Sequence, residues 1–386
     1  MNATVQFIYL CACAVTGAKA AADSVDFDRV WKLSKAQNMT ALVASALEGT
    51  AAFQNADPAE QKRWSQALGG NLKKSMLFDA ERKKLLRFFE AEGIWYLPLK
   101  GVILNPLYPC FGTREFADND ILIDPSRTKD AKHYMLTHGF SFRSDDFSAD
   151  EYSKKPFYNF ELHRALVDEG AGNVRYTDYY RDVKDRLIKD EGNACGYHFS
   201  DADFYIYFIY HAFKHYDNRG TGFRTLADEY VLLHTDRMKL PFREIEKELT
   251  KLGLSEFEQK LRTLADRLFT DPEALEKTIG DLRSEHRSLL IELLSCGTFG
   301  TMDKLFQKEL AENSEDKSFS KTHYYRRRLF PDISRYQYAH PFIYRHRILY
   351  PFFLLYRTAV YPIRHKEYLR QEYKAVRKKQ NSTDTK

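Results

Sequence analysis

The stretch REFADNDILIDP, residues 114–125, constrains the fold more than any other part of the chain. Its apolar centre, Ile121-Leu122-Ile123, predicts a buried strand, and Asp118 and Asp120 lie where that strand begins. Side chains two residues apart on a strand point to the same face of a sheet, so the two carboxylates are expected side by side. Because like charges held together repel each other, this pattern predicts a bound cation. Acids that only flank and solubilise a strand are the ordinary alternative.

A second strand pattern supplies a third acid. The stretch PFYNFELHRALV alternates apolar and polar residues, with Glu161 between apolar neighbours and His163 on the same face. An exposed strand glutamate is the ordinary alternative for Glu161. Mg²⁺ takes oxygen ligands and is often held by one or two carboxylates together with substrate phosphates. The sequence therefore predicts Mg²⁺, or alternatively Mn²⁺, on Asp118, Asp120 and Glu161, with His163 supporting these ligands.

The patterns around these strands predict an α+β fold. Helical spacing of apolar residues predicts helices at 25–47, 58–92, 204–215 and 224–235. Short apolar or alternating runs predict strands at 94–99, 114–125, 140–145 and 156–167. We divide the chain into an N-terminal helical region, a compact α/β unit, a helical domain and a basic aromatic tail, at 1–90, 91–195, 196–320 and 321–386.

Composition excludes several classes of protein. With 44% hydrophobic and 29% charged residues among 386, the chain has the balance of a folded globular protein. Its five cysteines are scattered without a CxxC pair, which argues against a disulfide framework or a zinc site and favours the reducing cytoplasm. The apolar run VQFIYLCACAV before GAKAAA has some features of a secretory signal. No basic residue precedes it, so we favour a first helix.

The stretches LPLKGVILNPLYP, GTREFADNDILID and FELH together resemble the DNA polymerase beta-type nucleotidyltransferase superfamily, and more narrowly a bacterial family of uncharacterised nucleotidyltransferases. In this resemblance Asp118 and Asp120 match the D-x-D pair and Glu161 matches the third acid. Lys100 and Gly101 match the position where other superfamily members carry a Gly-Ser turn. The resemblance makes 91–195 the catalytic core, built on a small mixed sheet with flanking helices.

What the resemblance implies is a two-metal phosphoryl transfer. Superfamily members bind two divalent metals on three carboxylates and move a nucleoside monophosphate from an NTP, such as ATP, to a hydroxyl group. The acceptor is left open, as a small molecule, a protein or an RNA end. Arg114, just before the acid pair, is expected to reach a phosphate, or alternatively to pair with Glu115 or Asp118.

Two helices after the sheet supply further candidates. His211 and Lys214 in YHAFKHYD are expected to point across the cleft towards nucleotide phosphates. His211 and His215 have the spacing of a metal pair, but without an HExxH glutamate between them zinc is disfavoured against simple packing. Arg224 and Asp228, four residues apart, are expected to form a helix pair that shapes the cleft.

The sequence allows several roles for the basic aromatic tail and two alternative functions for the protein. Arginines interleaved with Tyr and Phe suit RNA binding or contact with an anionic membrane, and equally suit aromatic packing with arginines reaching outward. A non-catalytic nucleotide-binding or regulatory protein is the main alternative to an enzyme. A D-x-D glycosyltransferase using a nucleotide sugar and Mn²⁺ is disfavoured, because here the acids precede the apolar run.

Overall fold

The computed structural model describes the chain in ranges separated by short gaps. They are residues 1–115, 117–145, 148–167, 174–297, 300–312, 321–336, 341–364 and 366–384. Phe116 of the REFADNDILIDP stretch and residues 337–340 of the basic aromatic tail lie outside the described residues. The structure confirms the predicted α+β fold, with a small mixed sheet and flanking helices.

The N-terminal region is helical. Its helices are α1 (Ala3–Thr16), α2 (Phe27–Ala36), α3 (Thr40–Leu47), α4 (Ala51–Gln54) and α5 (Pro58–Glu92). The single helix predicted at 25–47 is wrong, because the chain turns at Asn38, whose φ of 51° is left-handed, between α2 and α3. The helix predicted at 58–92 is confirmed. The Asp57 side chain accepts a hydrogen bond from the Ala59 N–H at its start, and Gly93 ends it with a φ of 66°.

The central sheet has the strand order β1-β2-β5-β4-β3. Its strands are β1 (Tyr96–Pro98), β2 (Asn119–Ile123), β3 (Ser141–Asp145), β4 (Ala149–Lys154) and β5 (Tyr158–His163). β2 and β5 pair in parallel, whereas the other neighbouring strands pair antiparallel. Strand β4 was not predicted, because the sequence ADEYSK is too polar to show the alternation of a half-buried strand.

Two cores pack on opposite faces of this sheet. On one face, Ile121, Ile123 and Phe160 pack with Leu85 and Phe89 of α5. On the other face, side chains of β1 and β2 join a larger core that includes α1, so the N-terminal apolar run is a buried helix. The helices α9 (Asp201–Asn218), α10 (Arg224–His234), α11 (Phe242–Leu252), α12 (Ser255–Phe269), α13 (Leu275–Gly280) and α14 (Ser284–Cys296) also contribute to it. The predictions at 204–215 and 224–235 are thereby confirmed as α9 and α10.

The remaining helices complete the described chain. The helices α6 (Gly101–Leu104) and α7 (Thr128–Thr137) lie against the sheet, and α8 (Val174–Tyr180) packs on α9 through its tyrosines. The last helices are α15 (Met302–Glu312), α16 (Lys321–Leu329), α17 (Pro341–Arg345), α18 (Tyr350–Arg364) and α19 (Lys366–Asp384). Across the described ranges, no helix combines the length and apolarity that crossing a bilayer requires.

Candidate functional site

The parallel pairing of β2 with β5 brings the predicted acids together. Asp120 lies directly opposite Glu161, and two positions further along Leu122 lies opposite His163. Because side chains alternate across a sheet, Asp120, Glu161 and His163 emerge on one face, away from the core that contains Ile121. The strand register therefore joins residues that lie far apart in the sequence.

Three potential metal ligands converge on this face. The His163 Nε2 lies 3.1 Å from Asp120 Oδ1 and 3.6 Å from Glu161 Oε2. One ligand atom from each of Asp120, Glu161 and His163 lies within 4.8 Å of those of the other two. Asp118 lies one residue before β2 and lines the same cleft. His163, expected to support the ligands, thus stands as close to the centre of the site as the acids do.

These side chains open into a cleft of about 280 Å³ between the sheet and helices α9 and α10. The predicted site residues all line it, namely Lys100, Gly101, Arg114, Asp118, Asp120, Glu161, His211 and Lys214. Aromatic side chains of α9, among them Tyr207 and Phe208, form part of the wall. The cleft thus combines an acidic floor, basic side chains and an apolar wall, while the roles assigned to the eight residues stay predictions.

Burial and mutual repulsion shift the pKa values of the carboxyl groups of the site. Burial and the charge of Asp120 raise the pKa of Asp118 to about 6 and that of Glu161 to about 8. Burial would also raise the pKa of Asp120, but Lys100 and His163 outweigh it and hold this pKa below its usual range. One buried and two half-buried acids this close together favour a proton or a positive charge between them near neutral pH.

Lys100 provides the nearest positive charge through an unusual backbone conformation. Its Nζ lies 3.2 Å from Asp120 Oδ2. Burial lowers the pKa of Lys100, but the charges of Asp120, Asp118 and Glu161 raise it above its ordinary value. The backbone has φ 42° and ψ −103°, a conformation that a residue with a Cβ adopts only under strain. A hydrogen bond from the Leu99 N–H to the Asp120 carbonyl (2.9 Å) holds this turn against β2.

Arg114 forms a buried ion pair with a helix residue. Its Nε and NH2 groups donate to the two carboxylate oxygens of Asp228 at 2.6 and 2.8 Å, and the Tyr108 hydroxyl donates to the same carboxylate at 2.7 Å. Arg114 therefore pairs with Asp228 and not with Glu115 or Asp118, the alternatives predicted from the sequence. The remaining NH1 atom of Arg114 is buried and has no hydrogen-bond partner among the described residues. Arg114 also lines the cleft.

The expected Arg224–Asp228 helix pair is wrong. Asp228 accepts its hydrogen bonds from Arg114 and Tyr108, as described above, and Arg224 NH1 instead donates to the Glu115 carbonyl at 2.7 Å. Both contacts tie α10 to the loop before β2. Helical spacing makes the i,i+4 pair feasible, but the loop offers Asp228 a bidentate guanidinium in a buried setting, which is a stronger partner.

The two histidines of α9 contact each other rather than joining the acids. The Nε2 atoms of His211 and His215 lie 2.9 Å apart, within hydrogen-bond distance. Burial and the positive charges of Lys100 and Lys214 lower the pKa of His215 to about 4 and that of His211 well below its ordinary value. Two neutral imidazoles beside the cleft are therefore available as hydrogen-bonding groups.

Sequence analysis missed some residues of the cleft. Glu151 of β4 pairs in register with Glu161 and lines the cleft as a further acid. Tyr207 of α9 is buried there, and burial raises its pKa to about 12. The spacing of Tyr207 and His211, one helical turn apart, was a signal that both lie on one face. Glu151 had no such signal, because its strand was not recognisable.

A comparison with protein families identifies the family of the chain. The chain belongs to a family described as uncharacterised nucleotidyltransferase, whose family model matches residues 23–270. The match covers well over half of the chain and contains all the cleft residues from Lys100 to Asp228. No curated protein and no solved structure matches the chain significantly.

Proposed function

We propose that this protein is a Mg²⁺-dependent nucleotidyltransferase of the DNA polymerase beta type. It transfers a nucleoside monophosphate from an NTP to a hydroxyl acceptor, and Asp118, Asp120 and Glu161 are its metal ligands. The observation that carries the proposal is the convergence of Asp120, Glu161 and His163 within 4.8 Å at the floor of a cleft. Membership in a nucleotidyltransferase family supports the reaction class.

The side chains present fit a hard divalent cation. Carboxylate oxygens are the ligands that Mg²⁺ prefers, and the raised pKa values of Asp118 and Glu161 reflect negative charge crowded in a buried place. His163 adds an imidazole nitrogen, which Mn²⁺ accepts more readily than Mg²⁺ does. When bound, such ions supply charge neutralisation for the triphosphate and acidify the attacking hydroxyl.

The remaining cleft residues have roles that follow from their charge. Lys100 and Lys214 are placed to attract the triphosphate, and the Arg114 NH1 group, buried and unsatisfied by described residues, can donate to a phosphate oxygen. His211 is neutral and offers a hydrogen bond without adding charge. Holding the NTP in line with the acceptor is the main task of such a site, because phosphoryl transfer depends on positioning and electrostatics.

The proposal is tested with the double variant D118N/D120N. Purified protein is incubated with cell lysate and each α-labelled NTP in turn, and label attached to an acceptor is followed with and without Mg²⁺. We expect the wild type to label an acceptor only with Mg²⁺, and the double variant to lose at least 10³-fold in rate, roughly the size of electrostatic contributions at such sites. The matched control is D178N/D236N, which makes the same change at two exposed positions.

Calorimetry separates binding from catalysis. The wild type is expected to bind a non-hydrolysable NTP analogue only when Mg²⁺ is present, and D118N/D120N to lose that binding while keeping its circular dichroism spectrum. Undiminished transfer by the double variant would refute the assignment of these acids. Metal-dependent binding by the wild type without any transfer would instead favour a regulatory nucleotide-binding protein.

A further inference from the structure

The C-terminal part of the chain exposes an unusual amount of apolar surface. Between residues 342 and 360, all of which are described, no side chain is buried. Yet most of this segment, FIYRHRILYPFFLLYRTAV, is aliphatic or aromatic. Tyr350 and Phe353 pack on Tyr336, so aromatic packing explains part of this segment, but it does not cover exposed residues such as Phe352 and Leu355. Contiguous exposed apolar surface of this kind usually marks a place where a protein meets a membrane or another molecule.

The exposed residues form one stripe. Ile348, Phe352, Leu355 and Tyr356 are spaced four, three and one residues apart, which places them on one side of α18 and the turn before it. Their side chains are between 59% and 86% exposed, and Phe342 on α17, also 62% exposed, extends the same apolar surface. We call these five residues the tail patch. Its aliphatic members cannot stack on bases, which makes a single-stranded RNA surface the poorer interpretation.

Both ends of this segment are anchored to the rest of the protein. On α16, the Tyr324 hydroxyl donates to Glu372 of α19 at 2.6 Å, and Arg328 Nε lies 2.9 Å from the same carboxylate. Tyr324 also packs with Leu310 of α15 and Val376 of α19 in a small buried cluster. The segment that carries the tail patch thus connects α16 and α19, two helices that contact each other.

The net charge of the tail indicates which kind of partner this surface binds. Residues 321–386 contain 16 Lys and Arg against 4 Asp and Glu, a net charge of +12, whereas the preceding 320 residues carry −7. Exposed Arg345 and Arg347 lie just before Ile348 in the chain. Two copies of so basic a surface would repel each other, which disfavours self-association. Apolar side chains flanked by arginines match the two layers of an anionic bilayer surface, its acyl boundary and its charged headgroups.

We propose that the tail patch docks the protein in the plane of an anionic lipid bilayer. Phe352, Leu355 and their neighbours enter the boundary between headgroups and acyl chains, while the flanking arginines contact lipid phosphates. α18 has 15 residues and lies along the surface rather than across the membrane. The surface lies beyond residues 23–270, so it is separate from the matched family region and from the proposed transfer reaction.

The test is co-sedimentation of the full chain with lipid vesicles. The vesicles consist of phosphatidylcholine alone or of phosphatidylcholine mixed with anionic phosphatidylglycerol. We expect binding to the mixed vesicles, much weaker binding to the neutral ones, and partial loss with added salt. The variant F352E/L355E should lower the partition coefficient by roughly tenfold or more, because two apolar side chains no longer insert.

Two further variants make the result specific. M76E/I291E places the same two charges on exposed apolar positions of other helices, 59% and 61% exposed, and should bind as the wild type does. R345Q/R347Q keeps the apolar surface and should weaken only the preference for anionic vesicles. Since all these side chains are exposed, unchanged circular dichroism spectra are expected throughout.

Three outcomes would overturn the proposal. One is an absence of vesicle binding by the wild type. Another is binding that F352E/L355E leaves intact. The third is a wild-type dimer, or a complex with single-stranded RNA, that is lost in F352E/L355E while vesicles are not bound. None of these measurements involves nucleotide transfer, so their result does not depend on the proposed function.

Discussion

Lys100 combines a strained backbone conformation with a side chain that reaches the acids of the site. Its φ of 42° with ψ of −103° favours glycine, and a non-glycine residue held there costs about 1–3 kcal/mol. Glycine would relieve this strain but would remove the ammonium group that lies 3.2 Å from Asp120 Oδ2. The strained lysine thus supplies a positive charge beside Asp120 that glycine would not.

We predict that K100G and K100M differ in stability. Both lose the charge beside Asp120, but only K100M retains a side chain at the strained position. K100G should therefore be more stable by about 1 kcal/mol, measured by urea unfolding, while both variants lose nucleotide binding. Equal free energies of unfolding for the two variants would show that the strain is no larger than the backbone entropy that glycine loses on folding, about 1 kcal/mol.

Three helices meet at a buried carboxyl network. The Tyr205 hydroxyl of α9 lies 2.5 Å from Glu229 Oε1 of α10 and 3.0 Å from Glu258 Oε1 of α12, to which Arg262 Nε also donates at 2.7 Å. One hydroxyl hydrogen cannot serve two carboxylates, so one of the acids must carry a proton. Burial raises the pKa of Glu229 to about 8, so we expect Glu229 to be the acid that carries the proton.

This network makes stability depend on pH, and we predict that E229Q removes the part of that dependence that is due to Glu229. Between pH about 4.5 and 8 the folded protein keeps a proton on Glu229 that the unfolded chain loses. The free energy of unfolding of the wild type therefore falls as pH rises through this range, by on the order of 4 kcal/mol from this group. Below pH about 4.5, the contribution of Glu229 to the free energy of unfolding is fully present.

Urea unfolding at pH 5 and pH 8 measures this effect. The advantage of E229Q over the wild type should grow from the lower to the higher pH, whereas E246Q, at an exposed position of α11, should follow the wild type at both. Parallel pH curves for E229Q and the wild type would mean that Glu229 is charged in the folded protein.

A buried ion pair helps to join the two halves of the cleft. Arg114 precedes the sheet acids and Asp228 belongs to α10, so their bidentate contact fixes the helical wall against the sheet. Both side chains are less than 10% exposed. Loss of one partner leaves the other charge buried without compensation, which costs far more than loss of an exposed pair.

We predict that D228N destabilises the protein by about 3 kcal/mol in urea unfolding and also weakens nucleotide binding, because Arg114 loses its orientation. D266N is the matched control. Its carboxylate pairs with His234 in a largely exposed setting, and its loss should change the free energy of unfolding by about 0.5 kcal/mol at most. Comparable effects of the two substitutions would contradict a joining role for Asp228.

Features encoded within a few neighbouring residues were predictable from the sequence. Alternation identified the strand of Glu161, helical spacing and Gly93 identified α5, and the acids beside Ile121-Leu122-Ile123 identified the floor of the cleft. These patterns depend on strand and helix geometry, which repeats every two or 3.6 residues and can be recognised without knowing the rest of the fold.

Tertiary structure alone decided which distant residues meet. The parallel register of β2 and β5 placed Asp120 opposite Glu161 and brought His163 close to both acids. The packing of α10 made Asp228 the partner of Arg114 rather than of Arg224. Likewise, only the fold showed that the apolar residues of α18 remain exposed. Such pairings depend on register and on competition among many possible partners, and neither is encoded in a local pattern.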